Sequence, residues 1–255
     1  MAYFIVKGVF LKISIIVATY NSSKTLRECL DSIVTQKTSN IELIVVDGKS
    51  NDETMSIVES FGKMVDHVIS DKDEGIYDAW NKGVKISSGD WIMYLGSDDV
   101  LCYGVLDKVL SFIDLNSDVD YISGKVMLVN GELKKIRVVG KPYKWSIFKT
   151  YMNVAHVASL HNRKLYDEYG GYDLNFKICG DYEFLLRAKR NLKAKYIDEI
   201  LAKMRVGGVS SGSFDSLIEA RSAKIKNNVK NHFLIYFDYY FSYVKLKVKV
   251  LIGYV

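Results

Sequence analysis

Apolar runs that end in polar turns recur through the first hundred residues, and apolar residues at helical spacing follow the first two of them. The runs and their turns are 13–18 with 19–23, 41–46 with 47–52, and 91–95 with 96–99. Buried strands joined by helices build a mostly parallel sheet with helices on its faces. The pattern therefore predicts a Rossmann-like α/β fold.

Polar residues gather where these predicted strands end. In open α/β sheets, ligands bind beside the carboxyl ends of the parallel strands, so the three turns form the first candidate site. The sequence contains no GxGxxG after the first strand, no GxxxxGK[ST] and no GxSxG. Dinucleotide oxidoreductases, P-loop NTPases and serine hydrolases are therefore disfavoured.

The pattern changes after residue 120. Two strand-like pieces, 121–129 and 133–139, flank Asn130 and Gly131, and this arrangement predicts a β-hairpin. We expect one catalytic domain, 1–215, followed by a helical tail, 216–255. Within the domain, residues of about 12–119 would form the nucleotide-binding half and residues 120–215 the acceptor half.

Composition indicates a chain that is folded almost throughout. It has one proline in 255 residues, and Cys29, Cys102 and Cys179 form no CxxC pair. Neither a disulfide framework nor a zinc ribbon is indicated, which fits a reducing compartment. No apolar run reaches the length of about 18 residues that a membrane span needs, and no secretory signal is evident. We expect a cytoplasmic protein.

The net charge of +5 lies in residues 216–255, which hold seven Lys or Arg and two acidic residues. Aromatic residues interleave with this charge, so we expect no nucleic-acid partner. A predicted stripe on one helix face consists of Phe233, Phe237, Tyr240 and Val244, with Lys245, Lys247 and Lys249 after it. The pattern favours peripheral binding to the inner face of the cell membrane. The alternatives are packing on the catalytic domain or on a second subunit of a homo-oligomer.

Two adjacent acids, Asp98 and Asp99, follow the apolar run 91–95 after Gly96 and Ser97 and would lie at the sheet edge. Adjacent carboxylates repel each other unless a cation is present, and carboxylates bind Mg²⁺ and Mn²⁺. One interpretation is a divalent metal beside a diphosphate, and the alternative is a solvated turn or helix N-cap. Asp118 and Asp120 are typical of an ordinary surface loop.

Asp181 stands at the start of a helical pattern. A carboxylate placed there suits a general base that deprotonates a hydroxyl, and the alternative is a helix N-cap. No HExxH motif or Cys/His cluster indicates zinc, and a histidine such as His156 is more often structural.

Taken in order, these segments resemble the family 2 glycosyltransferases, inverting enzymes of the GT-A fold that build bacterial polysaccharides and lipid-linked oligosaccharides. The resemblance runs from about residue 13 to residue 211. Its segments are 13–21, 42–54, 73–83, 89–99 and 180–181. The order of these motifs is far more specific than any one of them.

The resemblance implies a nucleotide-diphosphate sugar as donor, Mn²⁺ or Mg²⁺ as cofactor, and a hydroxyl of a glycan or lipid-linked acceptor. It implies that Asp99 binds the metal and that Asp181 is the catalytic base. The residues it implies for the nucleotide sugar are Thr19, Tyr20, Asn21, Asp47, Ser50, Asp73, Gly75, Lys82 and Asp98. On the acceptor side it implies His156, and Glu183 is a further candidate there.

Three residues depart from the family pattern. Gly96 stands where many relatives have an acid, Trp80 where many have arginine, and Gly180 where the usual residue is glutamate. Trp80 removes a phosphate partner, so we expect Lys82 or Arg205 to supply that charge.

Two other functions are compatible with an α/β chain that carries aspartates. A nucleotidyltransferase would need a basic, glycine-rich loop near the first strand, and the turn 19–23 is neither basic nor glycine-rich. A catalytically inactive nucleotide-sugar binder or membrane scaffold is the second alternative, and the intact Asp98, Asp99 and Asp181 disfavour it.

Overall fold

The computed structural model describes residues 5–6, 9–207 and 213–252. The expected end of the family resemblance, residue 211, lies outside the described residues, and so does the side chain of Lys249.

The chain alternates strands and helices, as the sequence predicts. The strands are β1 Ile5–Val6, β2 Val9–Phe10, β3 Ile13–Thr19, β4 Ile41–Asp47, β5 His67–Ser70, β6 Trp91–Gly96, β7 Val100–Leu101, β8 Tyr121–Val129, β9 Lys135–Val139, β10 Leu160–Asn162 and β11 Ala194–Arg205. The helices are α1 Leu26–Val34, α2 Thr54–Ser60, α3 Ile76–Ile86, α4 Val105–Leu115, α5 Trp145–Phe148, α6 Lys164–Tyr169, α7 Gly180–Ala188, α8 Phe214–Lys226 and α9 His232–Leu251.

One large sheet has the strand order β5-β4-β3-β6-β10-β8-β11-β7, and β9 pairs with β8. Strands β3 to β6 run parallel, with Ile15 opposite both Leu43 and Met93. β10 is antiparallel to β6 and β8, and β11 is parallel to β8. The predicted α/β fold with a mostly parallel sheet is confirmed.

Both faces of the central strands are buried, which is why their sequences read as continuous apolar runs. Ile15 and Val17 of β3 pack into a core shared with α1, α2 and α4. Ile16 and Ala18 point to the opposite core, which contains residues of α3, α6, α7 and α8. The sheet is therefore rigidly held between two layers of helices.

Glu42 ties together the amino-terminal ends of three strands, at the edge opposite the polar turns. Its buried carboxylate accepts hydrogen bonds from Ser14 of β3 and from the backbone and side chain of Ser88, just before β6. Lys12 adds an ion pair at 3.0 Å. Burial alone would raise the pKa of Glu42, but these hydrogen bonds lower it to about 2.

The predicted hairpin is confirmed: β8 and β9 are antiparallel, and Val126 lies opposite Val139. Asn130 organises the turn, because its side-chain oxygen accepts hydrogen bonds from the backbone N–H groups of Glu132 and Lys134.

Helix α8 packs on α7, and α9 packs in turn on α8. Asp238 of α9 binds Lys230 at 2.6 Å and lies 3.8 Å from Lys224. The Arg221 guanidinium of α8 lies 4.6 Å from the Tyr239 ring centre. Within the described ranges, no helix has both the length and the apolar composition to cross a bilayer.

Candidate active site

The three polar turns meet at the carboxyl ends of β3, β4 and β6. The Asn21 side chain accepts a hydrogen bond from the backbone of Asn51 at 3.0 Å, which joins the first turn to the second. The hydroxyls of Ser22 and Ser97 lie 2.8 Å apart, which joins the first turn to the third. The topology therefore brings the predicted nucleotide-binding segments together at one edge of the sheet.

Asp47 lies beneath this edge and is fully buried. Its carboxylate accepts hydrogen bonds from the backbone N–H and hydroxyl of Ser50, and from the hydroxyl of Ser70 at 2.7 Å. These three hydrogen bonds hold the loop after β4 against the end of β5. The sequence interpretation of Asp47 as a residue that lines the nucleotide site stays a prediction.

Thr19 and Tyr20 differ in what they offer to a ligand. Thr19 is buried, and its hydroxyl has no hydrogen-bond partner among the described residues. Tyr20 is exposed at the mouth of the same turn. A buried hydroxyl without a partner is costly, so Thr19 is the stronger candidate for a hydrogen bond to the nucleotide.

Asp73 and Gly75 form the neighbouring wall, before α3. A Cβ at Gly48 would lie 2.6 Å from the Asp73 carboxylate, so this acid rests directly against the second turn. Asp73 also accepts a hydrogen bond of 3.0 Å from the backbone of Gly75, whose φ of 118° favours glycine.

Lys82 lies on α3, and its ammonium donates to the carbonyl of Lys72 at 2.7 Å and pairs with Asp78 at 3.2 Å. These contacts stabilise the loop before α3. Of the two expected phosphate partners, Arg205 rather than Lys82 contacts the aspartate pair: its guanidinium donates to the carbonyl of Asp98 and pairs with Glu28.

Asp98 and Asp99 fold back over Gly96 at the end of β6. A Cβ at Gly96 would lie 2.9 Å from the Asp99 carboxylate and 3.0 Å from that of Asp98. The glycine that replaces an acid therefore leaves room for the two acids that follow it. Burial raises the pKa of Asp99 to about 8, and the charge of Asp98 adds to this shift.

A divalent cation fits this donor set. Asp98 and Asp99 are adjacent carboxylates, and Asp99 is buried and accepts a hydrogen bond of 3.2 Å from the backbone N–H of Gly96. The nearby Arg205 guanidinium is already bound to the Asp98 carbonyl and to Glu28. In the described ranges, no three His, Cys, Asp or Glu side chains gather as a complete metal site. Mg²⁺ is commonly held by one or two carboxylates, with substrate phosphates and water as the other ligands.

Asp181 lies in the first turn of α7 at the same edge of the sheet. The helix N-cap is Cys179 and not Asp181, so the alternative interpretation as a cap is not supported. The Asp181 carboxylate accepts a hydrogen bond from the backbone of Tyr182 at 2.7 Å, and its Oδ1 lies 3.3 Å from the Tyr77 hydroxyl. Tyr77 belongs to the first turn of α3, which connects Asp181 to the nucleotide side.

Gly180 allows this contact between Tyr77 and Asp181. A Cβ at Gly180 would lie 2.8 Å from the Tyr77 ring. The glutamate that is usual at this position would displace the ring, so the glycine and the tyrosine belong together. Burial and the charge of Asp181 raise the pKa of Tyr77, which keeps the hydroxyl protonated.

Trp80 fills an aromatic stack instead of contacting phosphate. Its ring stacks on Tyr94 at 4.5 Å and on His156 at 5.1 Å between ring centres. The His156 imidazole lies 3.4 Å from the Tyr172 hydroxyl. Burial lowers the pKa of His156 while the charge of Asp181 opposes this shift, so a neutral imidazole lies beside the proposed base.

Glu183 faces away from this site. It is fully buried and pairs with Arg187, and its Oε1 lies 3.0 Å from the Lys226 ammonium. An acid held by two cations is a poor acceptor for a proton. These ion pairs favour a structural role for Glu183, and its acceptor-side role stays a prediction.

A contact that the sequence does not predict fixes the segment before Asp181. Glu219 of α8 accepts hydrogen bonds from three consecutive backbone N–H groups, those of Lys177, Ile178 and Cys179, at 3.0, 2.9 and 2.8 Å. The Cys179 thiol also donates to the carbonyl of Ser216 at 3.3 Å. The tail helix thereby determines where α7 begins.

The fold and site define a glycosyltransferase of the GT-A type. The family model described as "Glycosyl transferase family 2" matches residues 14–170 of this chain. The chain is 32% identical over 211 residues to a PGL/p-HBAD biosynthesis glycosyltransferase of Mycobacterium bovis (strain BCG / Pasteur 1173P2), covering 79% of this chain and 80% of the relative. The chain therefore belongs to glycosyl transferase family 2.

Solved structures have the same fold. S. aureus TarS 1-349 in complex with UDP matches with a TM-score of 0.69 and 22% identity, over 88% of this chain and 68% of that one. The mannosyltransferase PcManGT from Pyrobaculum calidifontis in complex with GDP-Man and Mn²⁺ matches with a TM-score of 0.61 and 15% identity, over 94% and 75% of the two chains. The chain spans 39% of the longer S. aureus TarS structure that it also matches.

Proposed function

We propose that this chain transfers a sugar from a nucleotide-diphosphate sugar to a hydroxyl of a glycan or lipid-linked acceptor, with inversion at the anomeric carbon, in the synthesis of a bacterial surface polysaccharide. One observation carries the proposal: the Tyr77 hydroxyl, which donates to the carbonyl of Ile178 at 2.7 Å, lies 3.3 Å from Asp181 Oδ1. Tyr77 thereby links Asp181 to the edge where the turns before α1, α2 and α3 meet. The nucleotide-bound structures of fold neighbours support a nucleotide sugar as the donor class.

The nucleotide would lie over the turns that begin at Thr19 and Asp47, with Asp73 and Gly75 as its wall. Asp99, with Asp98 beside it, would hold Mn²⁺ or Mg²⁺, which supplies neutralising charge to the diphosphate. Arg205 lies beside this pair, and its guanidinium donates to the backbone carbonyl of Asp98.

The acceptor would approach from the side of His156 and Asp181. Asp181 takes the proton of the acceptor hydroxyl, whose oxygen forms a bond to the anomeric carbon. The bond between that carbon and the diphosphate oxygen breaks, and its electron pair leaves with the nucleoside diphosphate. A single displacement of this kind inverts the configuration and leaves no covalent enzyme intermediate.

A donor panel tests this proposal. UDP-, GDP- and dTDP-sugars are incubated with the chain, Mn²⁺ and a set of glycan and lipid-linked acceptors. Released nucleoside diphosphate and the anomeric configuration of the glycosylated product are measured. Release from at least one α-linked donor with a β product supports the proposal. Thermal stabilisation by a donor without release under any condition indicates an inactive binder, and pyrophosphate release from a nucleoside triphosphate indicates a nucleotidyltransferase.

The proposed location is the cytoplasmic face of the cell membrane, where a lipid-linked acceptor would be presented. This part of the proposal depends on the surface of α9.

A further inference from the structure

Helix α9 has apolar residues on two opposite faces. The face that packs on the rest of the protein consists of Ile235, Tyr239, Tyr243 and Leu246. The opposite face, called here the outer stripe, consists of Phe233, Phe237, Tyr240, Phe241, Val244 and Val248. Residues at spacings of three, four and seven share a helix face, so the outer stripe is continuous along most of the helix.

The outer stripe is uncovered by the described part of the chain. Phe233, Phe237 and Phe241 are 76%, 62% and 66% exposed. A row of exposed phenylalanines contrasts with the opposite face, where Ile235 is fully buried. Contiguous apolar surface of this kind marks a site of interaction with a protein or a membrane.

The charges around the outer stripe distinguish a membrane from a second copy of this chain as its binding partner. The one acidic residue of α9, Asp238, lies on the packed side, where Lys230 and Lys224 bind it. Lys245 and Lys247 are exposed and flank the outer stripe on its two sides. A second copy of this face would bring further lysines and no acid to pair with them, whereas an anionic bilayer supplies both negative headgroups and an apolar interior.

We propose that the outer stripe of α9 binds the surface of an anionic lipid bilayer, with its phenylalanines in the headgroup boundary and its lysines on the phosphates. Helix α9 is connected to the candidate active site through α8. α9 packs on α8 through Phe214 and Tyr243, whose ring centres lie 5.0 Å apart, and α8 holds the segment before Asp181 through Glu219. Docking would therefore hold the candidate active site near acceptors at the membrane, a consequence that rests on the proposed function.

Vesicle co-sedimentation of the full chain tests the docking without donor or acceptor, so its result is independent of transfer. The vesicles contain phosphatidylcholine alone or with phosphatidylglycerol. One variant, Phe237→Ser with Phe241→Ser, removes part of the stripe, and a second, Lys245→Glu with Lys247→Glu, reverses its flanking charge. The matched controls are Leu115→Ser, which changes an exposed leucine of α4, and Lys63→Glu with Lys85→Glu, which reverses two exposed lysines elsewhere.

We expect the wild-type chain and both controls to bind the anionic vesicles and to release them as salt rises. Each α9 variant should bind about tenfold more weakly or worse, because each cationic residue near an anionic surface contributes appreciably to binding. Circular dichroism checks that the variants are folded. If the variant with Phe237→Ser and Phe241→Ser unfolds, the variant with Lys245→Glu and Lys247→Glu alone tests the proposal. Three results would overturn the proposal: no binding by the wild type, equal binding by the α9 variants and controls, or a concentration-dependent dimer that the serine variant abolishes without any lipid binding.

Discussion

The Glu219 carboxylate of α8 accepts a hydrogen bond of 2.8 Å from the backbone N–H of Cys179, two residues before Asp181. The same carboxylate accepts from the two preceding N–H groups, so one acid of the tail positions the start of α7.

Replacement of Glu219 by glutamine removes the charge and one of the two acceptor oxygens. We expect kcat to fall by about tenfold to a hundredfold, since a small displacement of a catalytic group is enough for such a loss, while the donor KM changes little. Asp215→Asn changes an exposed acid of the same helix and is the matched control. Equal kcat values in the two variants would show that Glu219 does not position Asp181.

Gly180→Ala tests the contact between Tyr77 and Asp181. The new Cβ would lie 2.8 Å from the Tyr77 ring, which must move and take its hydroxyl away from Asp181. We expect transfer to fall by about tenfold or more while donor binding is kept. Gly131→Ala is the control, because a Cβ there meets nothing within 4 Å. Unchanged transfer in Gly180→Ala would show that the contact between Tyr77 and Asp181 does not contribute to catalysis.

The sequence predicts the nucleotide side of the fold well because the signals there are local. An apolar run such as 13–18 followed by a polar turn identifies the strand, its end and its helix at once. Asp98 and Asp99 are recognisable for the same reason, since they stand directly after a strand that is buried on both faces.

The features that the sequence does not reveal are side-chain contacts that no local pattern indicates, most of them between residues that are distant in sequence. Glu183 looks like a free acid beside Asp181 until the structure places Arg187 and Lys226 against it. Glu219 has the pattern of an ordinary solvated helix residue, and no local periodicity indicates that it binds the backbone of Cys179, 40 positions earlier. The sequence predicts the tail stripe as one face of a helix, and the structure places that face on the outer side of α9.

Asp99→Asn tests the metal assignment. The amide cannot supply the negative charge that a divalent cation needs, so we expect donor affinity to lose its dependence on Mn²⁺. The measurement is calorimetric titration of the donor with Mn²⁺ and with EDTA, and Asp118→Asn, in a surface loop, is the control. Wild-type affinity and the same response to EDTA in Asp99→Asn would exclude Asp99 as a ligand.

Glu42→Gln should lower stability in a pH-dependent way without affecting the site. The folded-state pKa is lowered from 4.5 to about 2, so the contribution is fully present above about pH 4.5 and is lost as the pH falls toward 2. The shift corresponds to about 3 kcal/mol in the free energy of unfolding at neutral pH. Urea unfolding of both proteins at several pH values measures this difference. A difference that stays constant between about pH 7 and about pH 3 would contradict the assigned pKa.

Asp181→Asn provides the most direct measurement of the central claim, that Asp181 is the base of a nucleotide-sugar transferase. The asparagine keeps the shape of the side chain but cannot take the acceptor proton. With the donor identified from the panel, single-turnover transfer is compared in the wild type, in Asp181→Asn and in the Asp118→Asn control. The account predicts transfer slower by about 10² to 10⁴ in Asp181→Asn, with donor affinity unchanged. Transfer at the wild-type rate by a folded, donor-binding Asp181→Asn variant would contradict it.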